Sequence, residues 1–475
     1  MDQRYHTLET LEASLEQELS FLNFPADNWV KPITTAAGQS VLDLAIVGAG
    51  ACGLALSFGL RRDGIKNFRL FDRRAEGKEG PWITTARMKT LRSPKHLTGP
   101  NMGMPGLTFR AWFTAKFGAE AWEPLGKIPT AMWMAYLVWV RKVTQPPVQN
   151  ETELQSIRSM ETYFELSMKS PSGVETIYTR HVVLATGRAA SGGVSLPDCA
   201  NDLPGEQYAH TEENIDFEKL RGKRILVIGG AASAADSAAT ALDAGAVSVK
   251  MLIRAKEMPR LNKFKSIVYP GFMRGFYDLE PRLKWQFLKT GFDAKIAPPR
   301  DSMLRLKSHD NFSLQLGAGL QGFERADGTI TAKTDAGDFA GDYVIFGTGY
   351  AMDLGAQPEL KSFADDIRLW GDVYSPSSDM EDRTLSSYPY LGKGFEFLPK
   401  QEGTRPEFAR LHLFNAATTL SHAPISSDIP GVNTGAERLI DHLASCLFTA
   451  GAEAHLSDMQ DYCEPELQGD EWEMS

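Results

Sequence analysis

The sequence predicts an α/β protein in which two units of parallel β-sheet and flanking helices are nested. The first observation is a run of strand, glycine turn, helix and second strand that occurs twice, around Gly48 and around Gly229. The second is that each copy is followed by an apolar strand ending in Thr-Gly, within residues 181–187 and 342–350. Such alternation is typical of doubly wound sheets. A strand of this kind just before a second unit indicates that the second copy interrupts the first.

The first glycine motif begins where an apolar strand, LDLAIV, ends. Gly48, Gly50 and Gly53 follow this strand at the G-x-G-x-x-G spacing, and an apolar helical segment comes next. The first glycine permits a tight turn, the second lets a pyrophosphate approach the backbone, and the third lets helix and strand pack closely. A second strand ends at Asp72, where a carboxylate can bind the hydroxyl pair of a ribose. The segment therefore predicts a Rossmann-like dinucleotide-binding domain.

The second glycine motif repeats this architecture with two departures. Gly229 and Gly230 follow an apolar strand, but Ala231 replaces the second motif glycine, so a pyrophosphate would be held less closely. At the end of the following strand Arg254 stands where an acid would bind a ribose, and an arginine there can accept a 2′-phosphate. We expect Gly229, Gly230, Ser233 and Arg254 to hold a second dinucleotide, with Arg254 favouring one that carries a 2′-phosphate.

The order of these segments predicts the domain organisation. Leucines spaced as one face of a helix indicate a helical leader in residues 1–40. Aromatic and basic side chains are frequent in residues 257–312, which we interpret as a helical insertion covering the second dinucleotide. The first dinucleotide domain is assigned to residues 41–215 and 343–475, and the second to residues 216–342.

The composition excludes several classes of partner. Asp and Glu outnumber Lys and Arg by 60 to 50, the net charge is −10 and the pI is about 5.5, which disfavours a nucleic-acid surface. The start of the chain lacks the basic and apolar regions of a signal peptide, and we expect a cytoplasmic protein that does not bind membranes. The acidic tail from Glu453 is expected to be solvated and partly disordered.

The cysteines decide which electron acceptor the sequence favours. Cys52, Cys199, Cys446 and Cys463 are far apart and form no C-x-x-C pair, so neither a disulfide framework nor a metal site is predicted. Two dinucleotides in one chain favour FAD in the first domain and NADH or NADPH in the second, because hydride passes from nicotinamide to flavin. A disulfide reductase would need a redox cysteine pair. We therefore expect dioxygen as the acceptor, which predicts a monooxygenase.

Candidate residues for the reacting end of the flavin lie in two segments. The long loop after Asp72 is rich in Gly, Pro, Lys and Arg, and loops of this length inside a domain are usually functional. Trp82 and Arg92 in this loop are predicted to flank the flavin or the substrate. Near the C-terminus a Gly-Val-Asn-Thr-Gly turn precedes an amphipathic helix, whose N-terminus offers amides to the flavin pyrimidine. Candidates in this segment are Asn433 and Thr434 for the pyrimidine edge, and either His422 here or His96 in the long loop is a candidate for proton transfer.

The order GAGACG, ATG, VIGGAASAAD and FGTGY resembles the flavin-containing and N-hydroxylating monooxygenases over most of residues 40–444. The leader and the stretch GPWITTARMKTLRSPKHLTGP are similar to a bacterial branch that contains FAD-dependent urate hydroxylase and an aspartate N-hydroxylase. The resemblance implies that reduced FAD binds dioxygen as a C4a-hydroperoxide, whose distal oxygen attacks an electron-rich atom. For urate that atom is ring C5, the product is 5-hydroxyisourate, and Arg92 is an attractive partner for the anion.

Three functions remain open at this point. The favoured one is hydroxylation of urate in purine catabolism, and the second is N-hydroxylation of an amine or amino acid. The third is a redox protein or oxidase that binds FAD and NAD(P) without oxygenating a substrate. The resemblance to the urate hydroxylase branch implies NADH, whereas Arg254 indicates NADPH, and the sequence leaves both the coenzyme and the oligomeric state undetermined.

Overall fold

Helices and strands alternate along the computed structural model, which describes residues 6–472. The helices are α1 (Leu8–Phe21), α2 (Ala51–Arg62), α3 (Phe109–Phe117), α4 (Thr130–Thr144), α5 (Ala232–Asp243), α6 (Pro270–Gly275), α7 (Pro281–Asp293), α8 (Arg300–Lys307), α9 (Trp370–Val373), α10 (Arg383–Ser386), α11 (Thr419–His422), α12 (Val432–Ala450) and α13 (Ala452–Asp461). The strands are β1 (Leu42–Val47), β2 (Phe68–Phe71), β3 (Val148–Gln149), β4 (Glu153–Ser159), β5 (Phe164–Ser170), β6 (Gly173–Leu184), β7 (Tyr208–His210), β8 (Arg224–Ile228), β9 (Ser248–Ile253), β10 (Phe312–Leu316), β11 (Leu320–Ala326), β12 (Thr329–Thr334), β13 (Gly337–Gly341), β14 (Tyr343–Phe346) and β15 (Leu411–Leu413).

The first sheet carries the first glycine motif. Its parallel part is ordered β3-β2-β1-β6-β15, and the last strand arrives from the C-terminal part of the chain. The second half of β6 pairs with β1, whereas its first half pairs antiparallel with β5, which in turn pairs with β4. Helix α12 packs on α2 beside this sheet. The C-terminal segment therefore returns to the first glycine turn.

The second sheet carries the second glycine motif. Its five strands are all parallel in the order β10-β9-β8-β14-β7, and α5 packs against β8 and β9. A separate antiparallel sheet of β11, β12 and β13 lies against β8. Both sheets have the parallel architecture that the sequence predicts, with helices on the strand connections.

Strand pairing moves the predicted domain boundaries. Both β7 and β14 belong to the second sheet, so the predicted borders at 216 and 342 cut that sheet. An antiparallel bridge between Val194 and Tyr350 joins the two linkers, and the second domain lies between these two residues. The pairing therefore favours borders outside β7 and β14, which local sequence does not indicate because an apolar strand carries no sign of the sheet it joins.

The leader and the tail pack on the first domain. Leu11 and Leu15 of α1 are buried in its main apolar cluster, and Trp139 donates a hydrogen bond to Glu12 over 3.0 Å. The tail, predicted to be solvated and partly disordered, is helical to Asp461 and has no helix or strand in residues 462–472; His455 stacks on Phe448 with the ring centroids 5.1 Å apart. The apolar contact with α12 explains the order that charge alone did not indicate.

The insertion between β9 and β10 is helical, as predicted, and it contacts the first domain as well as the second. Trp285 of α7 is fully buried against Trp370, and its indole nitrogen donates to the carbonyl of Met380 over 2.9 Å. On its other side α8 packs on α5. The insertion therefore bridges the two domains. Among the helices of residues 6–472, none combines the length and apolarity needed to cross a bilayer.

Candidate active site

The first glycine turn has the geometry that close backbone packing requires. Gly48 has a φ of +112°, and a Cβ at this position would lie 2.2 Å from the carbonyl oxygen of Ala185 at the end of β6. A Cβ on Gly53 would lie 2.2 Å from the carbonyl oxygen of Gly48. These two glycines are therefore needed by the fold itself.

Gly50 differs from its two neighbours in the motif. Its φ is −71°, and no atom of the described chain lies within 4 Å of a Cβ built on it. It caps the N-terminus of α2, where backbone amides lack partners within the helix. The open space beside these amides fits a pyrophosphate, because anions bind at helix N-termini. Packing therefore does not require a glycine at position 50, and its role in binding a pyrophosphate stays a prediction.

Asp72 directly follows β2, lies next to this turn and is buried. Its carboxylate accepts hydrogen bonds from the backbone amides of Ala49 and Arg74, each over 2.9 Å. These two bonds leave lone pairs on both oxygens, since each carboxylate oxygen accepts more than one hydrogen bond. The residue is therefore oriented by the glycine turn and can still accept from the hydroxyl groups of a ribose.

A polar network beside Gly50 was missed by the sequence analysis. Buried Glu79 forms an ion pair with Arg141, and Asn150 donates to the same carboxylate over 2.7 Å. Both Glu79 and Arg141 line a small cavity together with Gly50 and Leu54. Residues 79 and 141 are far apart in the chain, and nothing in their local sequence indicates that they meet. The network extends the first dinucleotide site beyond the glycine motif.

The second glycine turn repeats the first in the other domain. Gly229 has a φ of +126°, and a Cβ there would lie 2.4 Å from the carbonyl oxygen of Gly347. Ala231 caps α5, and it is exposed together with Ser233 in the first turn of that helix. Arg254 is exposed at the end of β9, in the position that Asp72 has after β2. The predicted residues therefore surround one open helix N-terminus.

Arg92 lies between the two domains. Its side chain is partly exposed to solvent but has protein around it. The resulting partial desolvation of the guanidinium lowers its pKa. The carboxylates of Asp236 on α5 and Asp428 before α12 oppose that decrease through electrostatic attraction. Within residues 6–472, the Arg92 guanidinium makes no hydrogen bond or ion pair. Its donors are therefore available to a bound molecule.

The other charged groups of this interdomain cleft already have partners. Arg188 pairs with Asp428 over 3.4 Å, and Tyr350 donates to Glu212 over 2.7 Å. Asp236 is buried and accepts from the hydroxyl of Ser302 over 2.6 Å, and burial raises its pKa. The sequence analysis did not single out these residues. The signal available was that Arg188 and Tyr350 directly follow the two Thr-Gly dipeptides and that Asp236 lies on the helix after the second glycine turn.

The other two candidates in the loop after Asp72 are Trp82, which is half-buried, and His96, which is exposed. Trp82 is half-buried and packs edge to face on Trp133, with the ring centroids 6.0 Å apart. His96 is exposed at the surface of the same loop. The contact with Trp133 favours a packing role for Trp82, and the roles of Trp82 beside the flavin and of His96 in proton transfer stay predictions.

Asn433 and Thr434 lie in the first turn of α12, as predicted. The Asn433 side chain, however, accepts from the amide of Met102 over 3.1 Å and donates to the carbonyl of Gly99 over 2.9 Å. It thus connects the helix to the loop after Arg92, so that its side chain is not free for a flavin edge. The side chain of Thr434 and the amides of this turn remain candidates.

His422 is fully buried with both ring nitrogens engaged. Nε2 lies 2.9 Å from the carbonyl of Gly392, and Nδ1 lies 3.0 Å from Arg438, which fixes the neutral tautomer. The ring stacks between Phe395 and Tyr277, at centroid distances of 3.9 and 4.8 Å. Burial, reinforced by Arg438, holds the pKa of His422 well below its usual range. This geometry favours a structural role over the predicted proton transfer.

Comparison with known proteins identifies the family. The family model for pyridine nucleotide-disulphide oxidoreductases matches residues 45–276. An FAD-dependent urate hydroxylase of Xanthomonas campestris pv. campestris is 34% identical over 468 residues, which cover 98% of this chain and 98% of the relative. The chain belongs to the flavin-dependent monooxygenase superfamily. The predicted oxidoreductase class, its monooxygenase type and the pairing of FAD with a nicotinamide cofactor are confirmed at the level of this family.

Solved structures of flavin monooxygenases share the fold. Reduced ornithine hydroxylase (PvdA) from Pseudomonas aeruginosa has a TM-score of 0.66 at 16% identity, covering 85% of this chain and 98% of that one. Ornithine N-hydroxylase (KtzI) from Kutzneria sp. 744, with reduced FAD, NADP⁺ and L-ornithine, has a TM-score of 0.64 at 16% identity, covering 85% and 99%. At these identities the likeness concerns the fold of the monooxygenase and not its substrate.

Substitution of Gly50 by Val tests the first dinucleotide site. The variant is expected to fold, because a Cβ at this position has open space, and to lose most of its bound flavin, because the pyrophosphate can no longer approach. The flavin-to-protein absorbance ratio and the melting temperature measure the two effects. Gly205→Val, at an exposed glycine with equal room, should retain flavin. Full flavin content in Gly50→Val would contradict the assignment.

Substitution of His422 by Gln tests the role of that residue through pH. A base whose pKa is lowered by folding stays neutral in the native state while the unfolded chain takes up protons, so the free energy of unfolding decreases as pH falls below about 6.5. His422→Gln should make this decrease smaller, as measured by denaturant unfolding between neutral and acidic pH.

The exposed His96 supplies the matched control for this experiment. His96→Gln makes the same exchange at an exposed position and should leave the denaturant midpoint close to that of the wild type. If His422→Gln instead retained the wild-type dependence of stability but lost the acid or basic limb of the pH–rate profile, the predicted proton transfer would be supported.

Proposed function

We propose that this protein is a urate hydroxylase that uses FAD, a reduced nicotinamide dinucleotide and dioxygen to form 5-hydroxyisourate. The observation that carries the proposal is the end-to-end similarity to an FAD-dependent urate hydroxylase, which is 34% identical and aligns over 98% of both chains. The reaction balances as urate, dioxygen, NAD(P)H and one proton giving 5-hydroxyisourate, water and NAD(P)⁺. One oxygen atom enters the substrate and the other leaves as water.

The first domain supplies the residues that would hold FAD. The open helix N-terminus at Gly50 suits the pyrophosphate, Asp72 suits the adenosine ribose, and the amides around Thr434 suit the pyrimidine of the flavin. When bound, the flavin supplies the redox chemistry that activates dioxygen. Gly48 and Gly53 act indirectly, because they let the turn take the shape that the cofactor needs.

The second domain supplies the residues that would hold the nicotinamide dinucleotide. Gly229, Gly230 and Ser233 surround the open N-terminus of α5, and Arg254 stands at the ribose end. An arginine at this strand end suits the 2′-phosphate of NADPH. The proposal therefore includes NADPH as an accepted coenzyme.

Arg92 is the residue that we assign to the substrate. Urate is an anion near neutral pH, and a guanidinium pairs with planar oxygen and nitrogen edges through two parallel hydrogen bonds. Arg92 fits this role because its donors have no partner within residues 6–472, whereas Arg188 is committed to Asp428. Its place between the domains is where a substrate would meet both cofactors.

The alternatives have less support from the cleft. An amine or amino acid needs a carboxylate or a polar group to hold its ammonium, but Asp428 pairs with Arg188 and Asp236 accepts from Ser302. A pure oxidase would convert all dioxygen into peroxide. The test is to add urate, L-ornithine, L-aspartate or cadaverine to the holoenzyme with NADPH or NADH. Urate alone should stimulate coenzyme consumption without stoichiometric peroxide, and stimulation by an amine instead would overturn the substrate assignment.

Substitution of Arg92 by Gln is expected to lower kcat/KM for urate about 10- to 100-fold, which is the range for loss of a charge-assisted pair of hydrogen bonds. Steady-state oxygen uptake measures this change. Arg92→Lys should recover only part of the loss, because lysine keeps the positive charge but lacks the two parallel donors of the guanidinium. Lys78→Gln, an exposed cation of the same loop, is the control and should behave as wild type.

Substitution of Arg254 by Ala is expected to lower the rate of flavin reduction by NADPH and to leave the rate with NADH unchanged, since only NADPH carries the 2′-phosphate. Anaerobic stopped-flow reduction with each coenzyme gives the ratio directly. An unchanged ratio would show that Arg254 does not contact the coenzyme. The exposed Arg260, which follows the same strand, supplies a second arginine for comparison.

A further inference from the structure

A group of histidine, glutamate and cysteine side chains lies in the first domain, apart from the cleft. The group consists of Glu396, His412, His442 and Cys446. His442 follows Asn433 on α12 by nine residues, which corresponds to about 13 Å along the helix axis. The dinucleotide and substrate sites described above therefore do not account for this group.

The backbone brings these side chains together from three elements. His442 and Cys446 are four residues apart on α12, so both face the same side of that helix. His412 lies on β15, and Glu396 is opposite it across an antiparallel bridge. Local sequence alone would not reveal this convergence, because the members are spread over 50 residues.

The donor atoms are close enough for one ion. One ligand atom each from Glu396, His412 and His442 lies within 4.8 Å of the other two. Glu396 Oε2 is 3.8 Å from His442 Nε2, and Cys446 Sγ is 3.4 Å from the same nitrogen. Donors on a tetrahedral zinc ion are about 3.3 to 3.7 Å apart, so closure needs side-chain movements of about 1.5 Å or less.

A buried carboxylate oxygen independently indicates a missing cation. Glu396 Oε2 has almost no contact with solvent and accepts no hydrogen bond within residues 6–472. Buried polar atoms nearly always have a partner, and an oxygen of a carboxylate is among the most costly to leave without one. The unsatisfied atom is the one that points towards His442.

His412 has the support that metal-binding histidines usually have. The ring is fully buried, with Nδ1 2.9 Å from the carbonyl of Gly394 and Nε2 3.1 Å from Nδ1 of His181. A metal would replace one of these hydrogen bonds, and the other would hold the ring and its tautomer, as outer partners do in known metal sites.

We propose that Glu396, His412 and His442 bind a divalent transition-metal ion, with Cys446 as a fourth donor. Nitrogen, oxygen and sulfur ligands together match Zn²⁺, whereas Ca²⁺ and Mg²⁺ prefer oxygen alone. The ion would join β15, the segment around Glu396 and the middle of α12. Because the N-terminus of α12 borders the proposed flavin site, the metal would stabilise the helix on which that site is built.

The experiment is zinc binding by the flavin-loaded protein. After removal of metals with a chelator, the holoenzyme is dialysed against micromolar ZnCl₂ and its zinc content and melting temperature are measured. We expect one zinc per chain and a higher melting temperature, because a ligand that binds only the native state stabilises it. Glu396→Gln and His442→Gln should lose both effects. Retention of wild-type zinc by either variant, or absence of zinc from the wild type, would overturn the proposal.

Controls separate loss of the metal from loss of the fold. Each variant should keep its flavin content and far-UV circular dichroism, since Gln is close in size to Glu and His. His455→Gln and Cys463→Ser, in residues outside the group, should bind zinc as the wild type does. Replacement of zinc by Co²⁺ tests the fourth donor, because a thiolate-to-cobalt absorption band should be present in the wild type and absent from Cys446→Ser. A band that persists in Cys446→Ser would remove Cys446 from the site.

Discussion

In each of the two domains, the structure depends on a close contact between the backbone of the glycine turn and the backbone at the end of a neighbouring strand. Gly48 lies against the carbonyl of Ala185 and Gly229 against the carbonyl of Gly347, with no room for a Cβ in either case. Each contact joins the turn after the first strand of a domain to the end of the neighbouring parallel strand. It explains why both Thr-Gly strands end in small residues, and it places the N-termini of α2 and α5 at the carboxyl ends of their sheets.

The cleft follows from this arrangement. The two domains are joined by linkers that meet at Val194 and Tyr350, and Arg92 lies between them, within electrostatic reach of Asp236 on α5 and Asp428 before α12. Charges of both signs meet there, and most are paired. Arg92 is distinguished by the lack of a partner within the described residues, which is why we assign the substrate to it.

The structure gives two of the candidate side chains partners that their local sequence does not show. The sequence assigns Asn433 to the flavin edge through the amides of a helix N-terminus, and the structure adds that its side chain binds the loop at Gly99 and Met102. His422 was a candidate for proton transfer because histidine titrates near neutral pH, but burial and two hydrogen bonds fix its neutral form. In both cases the side chain binds partners that are distant in the chain, and the residue type alone does not reveal them.

The amino-acid sequence by itself determined the nested α/β architecture, both glycine turns, the acid and the arginine at the strand ends, and the absence of a redox cysteine pair. These features are local, since turn geometry and hydrophobic period act over a few residues. Only the tertiary structure decided the domain boundaries, the network of Glu79 and Arg141, the free donors of Arg92 and the convergence of Glu396, His412 and His442. Each of these depends on contacts between segments far apart in the chain, which no short-range pattern encodes.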